Sequence, residues 1–264
     1  MGDVLRLSRE GAFARVTLDR PAVRNALDPQ LIAALHDAFR ALADEPPAAL
    51  RGIVLGGAGP VFCAGADVEW MRRAISLSVE ENERDAAALH AMLAAIDACP
   101  VPVIARVHGA ALGGGMGLCA VADLVITTAD CTFGFTEAKL GIIPAVISTF
   151  VLPKIGESHA RAVFPSGQRF DAERARDIGL VHEIVADVSA LDARVAAATA
   201  ELSTAGPTAA RAAKALVRDL RGLSPDEVGA EMARRTGRQR TSAEGQEGMT
   251  AFLDKRPAAW TSSD

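Results

Sequence analysis

Lysine is scarce in this chain: of 28 basic residues only Lys139, Lys154, Lys214 and Lys255 are lysines, and the other 24 are arginines scattered without a block. With a net charge of −5 at pH 7, no basic stripe exists for a nucleic-acid groove, and nucleic acid is not an expected partner. Long apolar runs are missing too. The longest uncharged stretches, Val107–Ala122 with His108 taken as neutral and Leu140–Pro153, fall short of the roughly 18 residues that a bilayer-spanning helix needs. Met1-Gly2-Asp3-Val4 shows no basic segment leading into an apolar one. The expectation is therefore no membrane span, no export signal and a cytoplasmic address. Cys63, Cys99, Cys119 and Cys131 are far apart, with no Cys-x-x-Cys pair, and read as reduced packing residues. The five histidines show no His-x-x-x-His spacing and no serine sits in a Gly-x-Ser-x-Gly elbow, so neither a metal site nor a nucleophilic triad is expected.

What is present is a chain of 264 residues, 50% apolar and 23% charged, large enough for one big domain or a core with a smaller appendage. Ala14–Leu18, Ile53–Leu55, Val101–Val107 and Leu124–Thr127 are rich in Val, Ile and Leu and read as strands covered by helices. Between the first two, Leu31, Ala34, Leu35, Ala38, Phe39 and Leu42 recur at helical spacing behind Asp28 as N-cap and Pro29 in the first turn. A second helix is expected over Val79–Ala98, stopped by Pro100 and Pro102. From about Gly156 the strand signal stops, and Asp171–Ile178, Leu191–Leu202, Pro207–Leu220, Pro225–Arg235 and Ala243–Phe252 read as helices. The class is α/β, with a core over residues 1–195 and a helical subdomain over 196–264. No repeat of fixed period is found.

Three segments carry possible chemistry. Ala111-Leu112-Gly113-Gly114-Gly115-Met116-Gly117 follows a strand and opens a helix, placing bare N–H groups at the positive end of a helix dipole. Its spacing fits neither a dinucleotide fingerprint nor a P-loop. The alternative is a tight turn in which glycine merely allows close packing. Gly59-Pro60-Val61-Phe62-Cys63-Ala64-Gly65-Ala66-Asp67 also follows a strand. If the N–H groups of the two loops converge, they make a pair of donors for one oxygen, which stabilises an enolate or a tetrahedral oxyanion. Glu137, among Phe133, Phe135 and Leu140, is the best acid/base candidate, because apolar neighbours raise a carboxyl pKa. Its alternative is a surface glutamate paired with Lys139.

In order, Arg20-Pro21-Ala22-Val23-Arg24-Asn25-Ala26-Leu27, Phe62-Cys63-Ala64-Gly65-Ala66-Asp67, His108-Gly109-Ala110-Ala111-Leu112-Gly113-Gly114-Gly115, Phe133-Gly134-Phe135-Thr136-Glu137 with Leu140-Gly141-Ile142-Ile143-Pro144, and Phe170-Asp171-Ala172 with Gly179-Leu180-Val181 resemble the crotonase family, the enoyl-CoA hydratase/isomerase superfamily, over nearly the whole chain. The resemblance implies a spiral of ββα units with C-terminal helices that pack a homotrimer, commonly doubled to a hexamer. It implies a thioester substrate on coenzyme A, with CoA as part of the substrate and no separate cofactor. Its carbonyl oxygen would be held by the N–H groups of Ala66 and Gly114. Ala64 and Asp67 would line the adenine side, Arg24 would meet phosphate or pantetheine, and Lys255 would approach the nucleotide across a subunit boundary.

Two departures stand out. Ordinary hydratases carry one glutamate two residues after the glycine triplet and another in the Phe-Gly-x-x-Glu segment; here the first is Gly117, and Glu137 alone remains. After Pro144, Ala145-Val146-Ile147-Ser148-Thr149-Phe150 replaces the usual glycine-rich stretch. The combination resembles methylglutaconyl-CoA or isohexenylglutaconyl-CoA hydratases, and the single glutamate also resembles the Δ3,Δ2-enoyl-CoA isomerases. A binding protein of this fold that has lost catalysis is the remaining reading, with Gly117 its only argument. Glycine at 117 is expected to leave room beside Glu137 for a substrate's own carboxylate, faced by an arginine such as Arg72 or Arg73. The pocket walls are expected around Trp70–Ile75 and Val146–Phe150.

Overall fold

A tight turn at Gly11 and Ala12 folds β1 (Leu5–Glu10) back onto β2 (Phe13–Leu18), and the chain then lays down β3 (Gly52–Gly57), β4 (Val103–Val107), β5 (Ala110–Leu112), β6 (Leu124–Thr128), β7 (Thr132–Gly134), β8 (Arg169–Phe170) and β9 (Glu183–Val185). This computed structural model describes residues 4–261; Met1, Gly2 and Asp3, on which the leader reading partly rests, lie outside the described residues. One sheet runs β1-β2-β3-β4-β6-β9 and a smaller one β5-β7-β8. The large sheet is parallel beyond its first hairpin, and parallel neighbours require crossovers that cover the sheet.

Those crossovers supply the first helices: α1 (Pro29–Ala43) between β2 and β3, α2 (Val68–Ala74) and α3 (Val79–Ala98) between β3 and β4, and α4 (Gly114–Val121) after β5. α1 starts where Asp28 accepts from the Leu31 N–H at 2.8 Å, and buries Leu31, Ile32, Leu35, Ala38, Phe39 and Leu42. α3 opens with a capping box, Ser78 and Glu81 each accepting from the other's N–H. β3 is buried at five of its six residues, as expected of a strand covered on both faces. The main core joins Leu35, Phe39, Ile53, Leu55, Val103, Met116 and Phe133.

The C-terminal third departs from the sequence expectation. α5 (Ala145–Val163) and α6 (Ala172–Asp177) are separated by β8, and β9 precedes α7 (Val188–Thr204), so strands continue past Gly156. Two and three residues long, these strands exist by pairing with Gly134, Phe133, Ile126 and Thr127, a partnership that no local pattern reveals. The expected boundary at 195 falls inside α7, whose Leu191, Val195 and Ala198 pack on Val54, Ile104 and Ile126 of the sheet. Then come α8 (Pro207–Asp219), α9 (Pro225–Thr241) and α10 (Ala243–Leu253). α8 and α9 bury none of their residues and α10 buries only Ala251. No described helix is long and apolar enough to cross a membrane.

Candidate active site

The loop after β3 and the turn after β5 are stitched into one surface by backbone bonds. Cys63 N–H donates to Ala110 O at 3.0 Å and Leu112 N–H to Cys63 O at 3.0 Å. From the other side, Leu27 N–H donates to Gly65 O at 2.7 Å and Leu27 O accepts from Asp67 N–H at 2.8 Å. Between these clamps, the N–H groups of Ala66 and Gly114 have no acceptor among the described residues. Gly113, at φ +48 and ψ −114, makes the turn that aims α4 into this corner, a conformation open only to glycine. The Leu27 side chain closes it: a Cβ on Gly114 would stand 2.6 Å from Leu27 Cδ1.

Glu137 begins a 3-10 turn, Glu137–Leu140, just past β7. Its Oε1 lies 3.5 Å from where a Cβ on Gly113 would stand, and its Oε2 is buried without a hydrogen-bond partner. Burial pushes its carboxyl above the ordinary glutamate range, because a low-dielectric wall disfavours the charged form. Glu137, Ala66, Gly114 and Ala64 all face one cavity of about 470 Å³, otherwise walled mainly by Leu27, Trp70, Leu89, Ile142, Val146 and Ile147. Two unpaired N–H donors beside one proton-exchanging carboxyl can hold a carbonyl oxygen while a proton moves at the neighbouring carbons.

The model of the family described as enoyl-CoA hydratase/isomerase matches residues 8–263. The chain belongs to that family. Among curated members, the crotonyl-CoA hydratase of Syntrophomonas wolfei is 32% identical, across 97% of this chain and 97% of its own length. The solved structure of Pseudomonas aeruginosa AtuE superposes with a TM-score of 0.94 at 35% identity, covering 98% of this chain and all of that one. An enoyl-CoA hydratase from Shewanella pealeana gives 0.92 at 33%, covering 98% and 96%. The fold is thus the mixed α/β crotonase fold, and the protein is an enzyme of the hydratase/isomerase family acting on acyl-CoA thioesters.

Of the residues assigned from sequence, the structure brings Ala64, Ala66, Gly114 and Glu137 to the hydratase/isomerase cavity and leaves others elsewhere. Asp67 is bonded within the fold and does not line the cavity. Its Oδ1 caps α2 by accepting from Glu69 N–H at 2.8 Å and Trp70 N–H at 3.3 Å, its Oδ2 pairs with Arg20 at 3.0 Å, and it is 6% exposed. Arg24 is exposed and its carbonyl holds Ala64 N–H at 3.0 Å; Lys255 is exposed beyond α10, and Arg256 forks onto Glu247 at 2.7 and 2.8 Å. Neither Arg72, paired with Glu69, nor Arg73 lines the cavity. The cavity's arginine is Arg169, exposed on β8, and its second carboxylate is Asp85, which accepts from the Trp70 indole N–H at 2.6 Å. Sequence reasoning missed both, since β8 carries no local signal and Asp85 looks like any surface acid of α3. All four cysteines are buried free thiols, with burial pushing Cys63 and Cys131 up to about 12.

The expected space at Gly117 is filled. A Cβ there would stand 2.7 Å from Ile147 Cγ2 and 3.2 Å from Leu93 Cδ1, so the substrate gains no room at that point. The walls from α2 and α5 are nearer Trp70, Met71, Ala74 and Ala145–Ile147; Ile75 is 87% exposed and Phe150 packs on His90. Gly117→Glu should therefore destabilise the protein by about 3 kcal/mol or more, through overpacking and a buried carboxylate, without restoring hydration of simple enoyl chains. Denaturant midpoints and a crotonyl-CoA assay check this; wild-type stability with faster hydration would refute it.

The position of Glu137 also fixes a pH dependence. Because its folded-state pKa lies above its unfolded one, the stability this group contributes is full below the unfolded pKa and is lost as pH rises through the folded value. Glu137→Gln removes that loss. The melting temperature of the variant relative to wild type should be higher at about pH 8 than at about pH 4. Scanning calorimetry at both pH values reads the difference, and an increment independent of pH would contradict it.

Proposed function

We propose that the protein hydrates 2-enoyl-CoA thioesters with Glu137 as its acid/base, and the observation that carries this reading is the buried, unpartnered Oε2 of Glu137 beside the free N–H groups of Ala66 and Gly114. The thioester oxygen lies between the two donors, which stabilise the enolate that forms as water attacks the β-carbon. Glu137 takes a proton from the water at one oxygen and delivers a proton to the α-carbon from its carboxyl group. The C=C π bond breaks, and new C–O and C–H bonds form. Asp85, which still has Oδ1 uncommitted, is an acceptor for the water's second hydrogen. No cofactor enters this chemistry, since CoA arrives as part of the substrate.

The acyl group we assign is a branched or glutaconyl-type one. Arg169 supports an anionic tail, as the cation on an otherwise mostly apolar cavity wall. One observation favours a second reading, Δ3,Δ2-isomerisation: Ile147 packs on Gly117, where a second carboxylate would otherwise hold the water, and one carboxyl suffices to move a proton between carbons. A catalytically silent binding protein fits less well, because a binding site gains nothing from a buried carboxyl with an empty oxygen.

Glu137→Gln should lower turnover by about two to four orders of magnitude with thioester binding retained. Reaction in oxygen-18 water of crotonyl-CoA, 3-methylglutaconyl-CoA and a 3-enoyl-CoA separates the readings. Label in a 3-hydroxyacyl product is expected, and Asp85→Asn should slow its uptake while sparing α-proton exchange. A 2-enoyl product formed without label from the 3-enoyl thioester would establish the isomerase instead. Near-normal turnover of Glu137→Gln would remove that residue from the mechanism.

The proposed assembly is a homotrimer or hexamer in which Lys255 approaches the nucleotide of a neighbouring subunit's CoA. Exposed apolar side chains next to Lys255 support it, with Phe252 82% and Leu253 76% exposed on α10 and Val217 64% on α8, an apolar surface of the kind that subunit contacts cover. Sedimentation at micromolar concentration should give three or six subunits, and truncation after Thr250 should weaken CoA binding. A monomer refutes the assembly; unchanged affinity refutes the Lys255 contact.

A further inference from the structure

We infer that Arg20 is a positioning residue of the oxyanion hole, setting through Leu27 the spacing between the donors Ala66 and Gly114. The inference rests on the assignment of those two N–H groups as the donors. Arg20 is the first residue of a segment, Arg20–Leu27, that contributes only Leu27 to the cavity, yet the segment is hydrogen-bonded to the loop that carries Ala66 and packs Leu27 against Gly114.

One Arg20 nitrogen, Nη2, lies 3.0 Å from Asp28 Oδ2 and 3.0 Å from Asp67 Oδ2, while Nη1 donates to Ala26 O. Each aspartate spends its other oxygen capping a helix: Asp28 caps α1 and Asp67 caps α2. A single guanidinium thus ties together the N-termini of two helices. Leu27 lies between Ala26 and Asp28, and it touches the surroundings of both donors. Its backbone holds Gly65 O and Asp67 N–H on either side of Ala66, and its Cδ1 lies against Gly114.

The geometry makes Arg20 more than a surface bridge. The side chains of Arg20, Asp28 and Asp67 are 17%, 17% and 9% exposed, so the charges are shielded from solvent and charge-assisted bonds there hold their geometry. Asn25 closes the other end of the loop: its Nδ2 donates to Ala58 O at 2.8 Å and Val61 O at 2.9 Å, and its Oδ1 accepts from Arg20 N–H at 2.9 Å. Arg24 and Asn25 both sit at left-handed φ, 55 and 54, which non-glycine residues adopt only when their surroundings enforce it. Residues 20–28 form a rigid spacer. Without Arg20, the segment keeps its backbone bonds to the loop but loses the anchor that fixes its depth against α2.

A lysine offers one nitrogen where Arg20 uses two, and so restores only part of this. The test uses the full chain. In the Glu137→Gln background, where turnover is slow, the carbonyl stretch of bound crotonyl-CoA labelled with carbon-13 at the thioester carbon reports polarisation by the hole. The parent should lower that frequency relative to free thioester. Arg20→Met should remove much of the shift and, in the otherwise wild-type enzyme, lower kcat about 10- to 100-fold with little change in KM; Arg20→Lys should recover part of both. If Arg20→Met does not fold, Arg20→Lys and Asp67→Asn, which keeps its capping oxygen, decide the matter, and parental kcat and shift in both overturn the proposal. A folded Arg20→Met with the full shift and parental kcat overturns it equally. Absence of any shift in the parent is a distinct result, which overturns the donor assignment and the positioning role with it.

Discussion

Two backbone N–H groups, on Ala66 and Gly114, stand without an acceptor among the described residues at the wall of one mostly apolar cavity, although a backbone N–H gains by pairing. Left alone, a loop relaxes until such groups find partners. Here neither loop can relax. The Cys63 backbone is spent on Ala110 and Leu112, the groups flanking Ala66 are spent on Leu27, and the turn into α4 is held by Gly113 N–H donating to Gly134 O at 3.0 Å. The parallel sheet places β3 and β4 side by side, so that the segments following them emerge next to each other, and the smaller sheet adds β7, from whose end Glu137 projects. Fold and site are linked through this one constraint, which keeps both donors open to the cavity.

Glu137 is a second unsatisfied group in the same corner, and the two reinforce each other. A carboxyl in water has no reason to hold its proton near neutrality; desolvated, with one oxygen unpartnered, this one is held above the ordinary glutamate range. Sites that must do chemistry are where satisfied packing is given up. The price is visible elsewhere as over-determination: Asn25 donates to Ala58 O and Val61 O and Arg20 to Asp67 Oδ2, so that the loop is held from its start to its end by side chains of one neighbouring segment.

The parts of this arrangement that were legible in the sequence are those written in local chemistry. α3 spans Val79–Ala98 as expected because a capping box opens it and prolines follow it; α1 was equally plain from its N-cap and apolar spacing. That Ala66, Gly114 and Glu137 share one cavity was foreshadowed by the motifs around them. What stayed hidden depends on distant partners. β8 and β9 are too short to carry a pattern, Asp85 and Arg169 reach the cavity only because α3 and β8 border it, and the second oxygen of Asp67 is bonded by Arg20, 47 positions away. Nothing local distinguishes a carboxylate that caps a helix from one that also meets a ligand.

The two departures from the ordinary hydratase pattern turn out to be one structural event. Read separately, Gly117 suggests an opened space and Ala145-Val146-Ile147 a reshaped wall. In three dimensions Ile147 Cγ2 lies so close to Gly117 that a single added carbon would stand 2.7 Å from it, and Leu93 supports the contact from α3. An isoleucine at this place excludes a side chain at 117, and glycine at 117 in turn lets α4 and α5 approach closely enough for the isoleucine to be buried at 3% exposure. The exchange replaces a carboxylate with a methyl group at the wall of the cavity. It removes one source of repulsion that would have acted on Glu137 and on any anionic acyl tail, and it leaves Arg169 and Asp85 as the other charged side chains on the cavity wall. A wall altered this way holds no second glutamate at 117 to share a water with Glu137, and the acyl group proposed above, one that brings its own charge, rests on that loss.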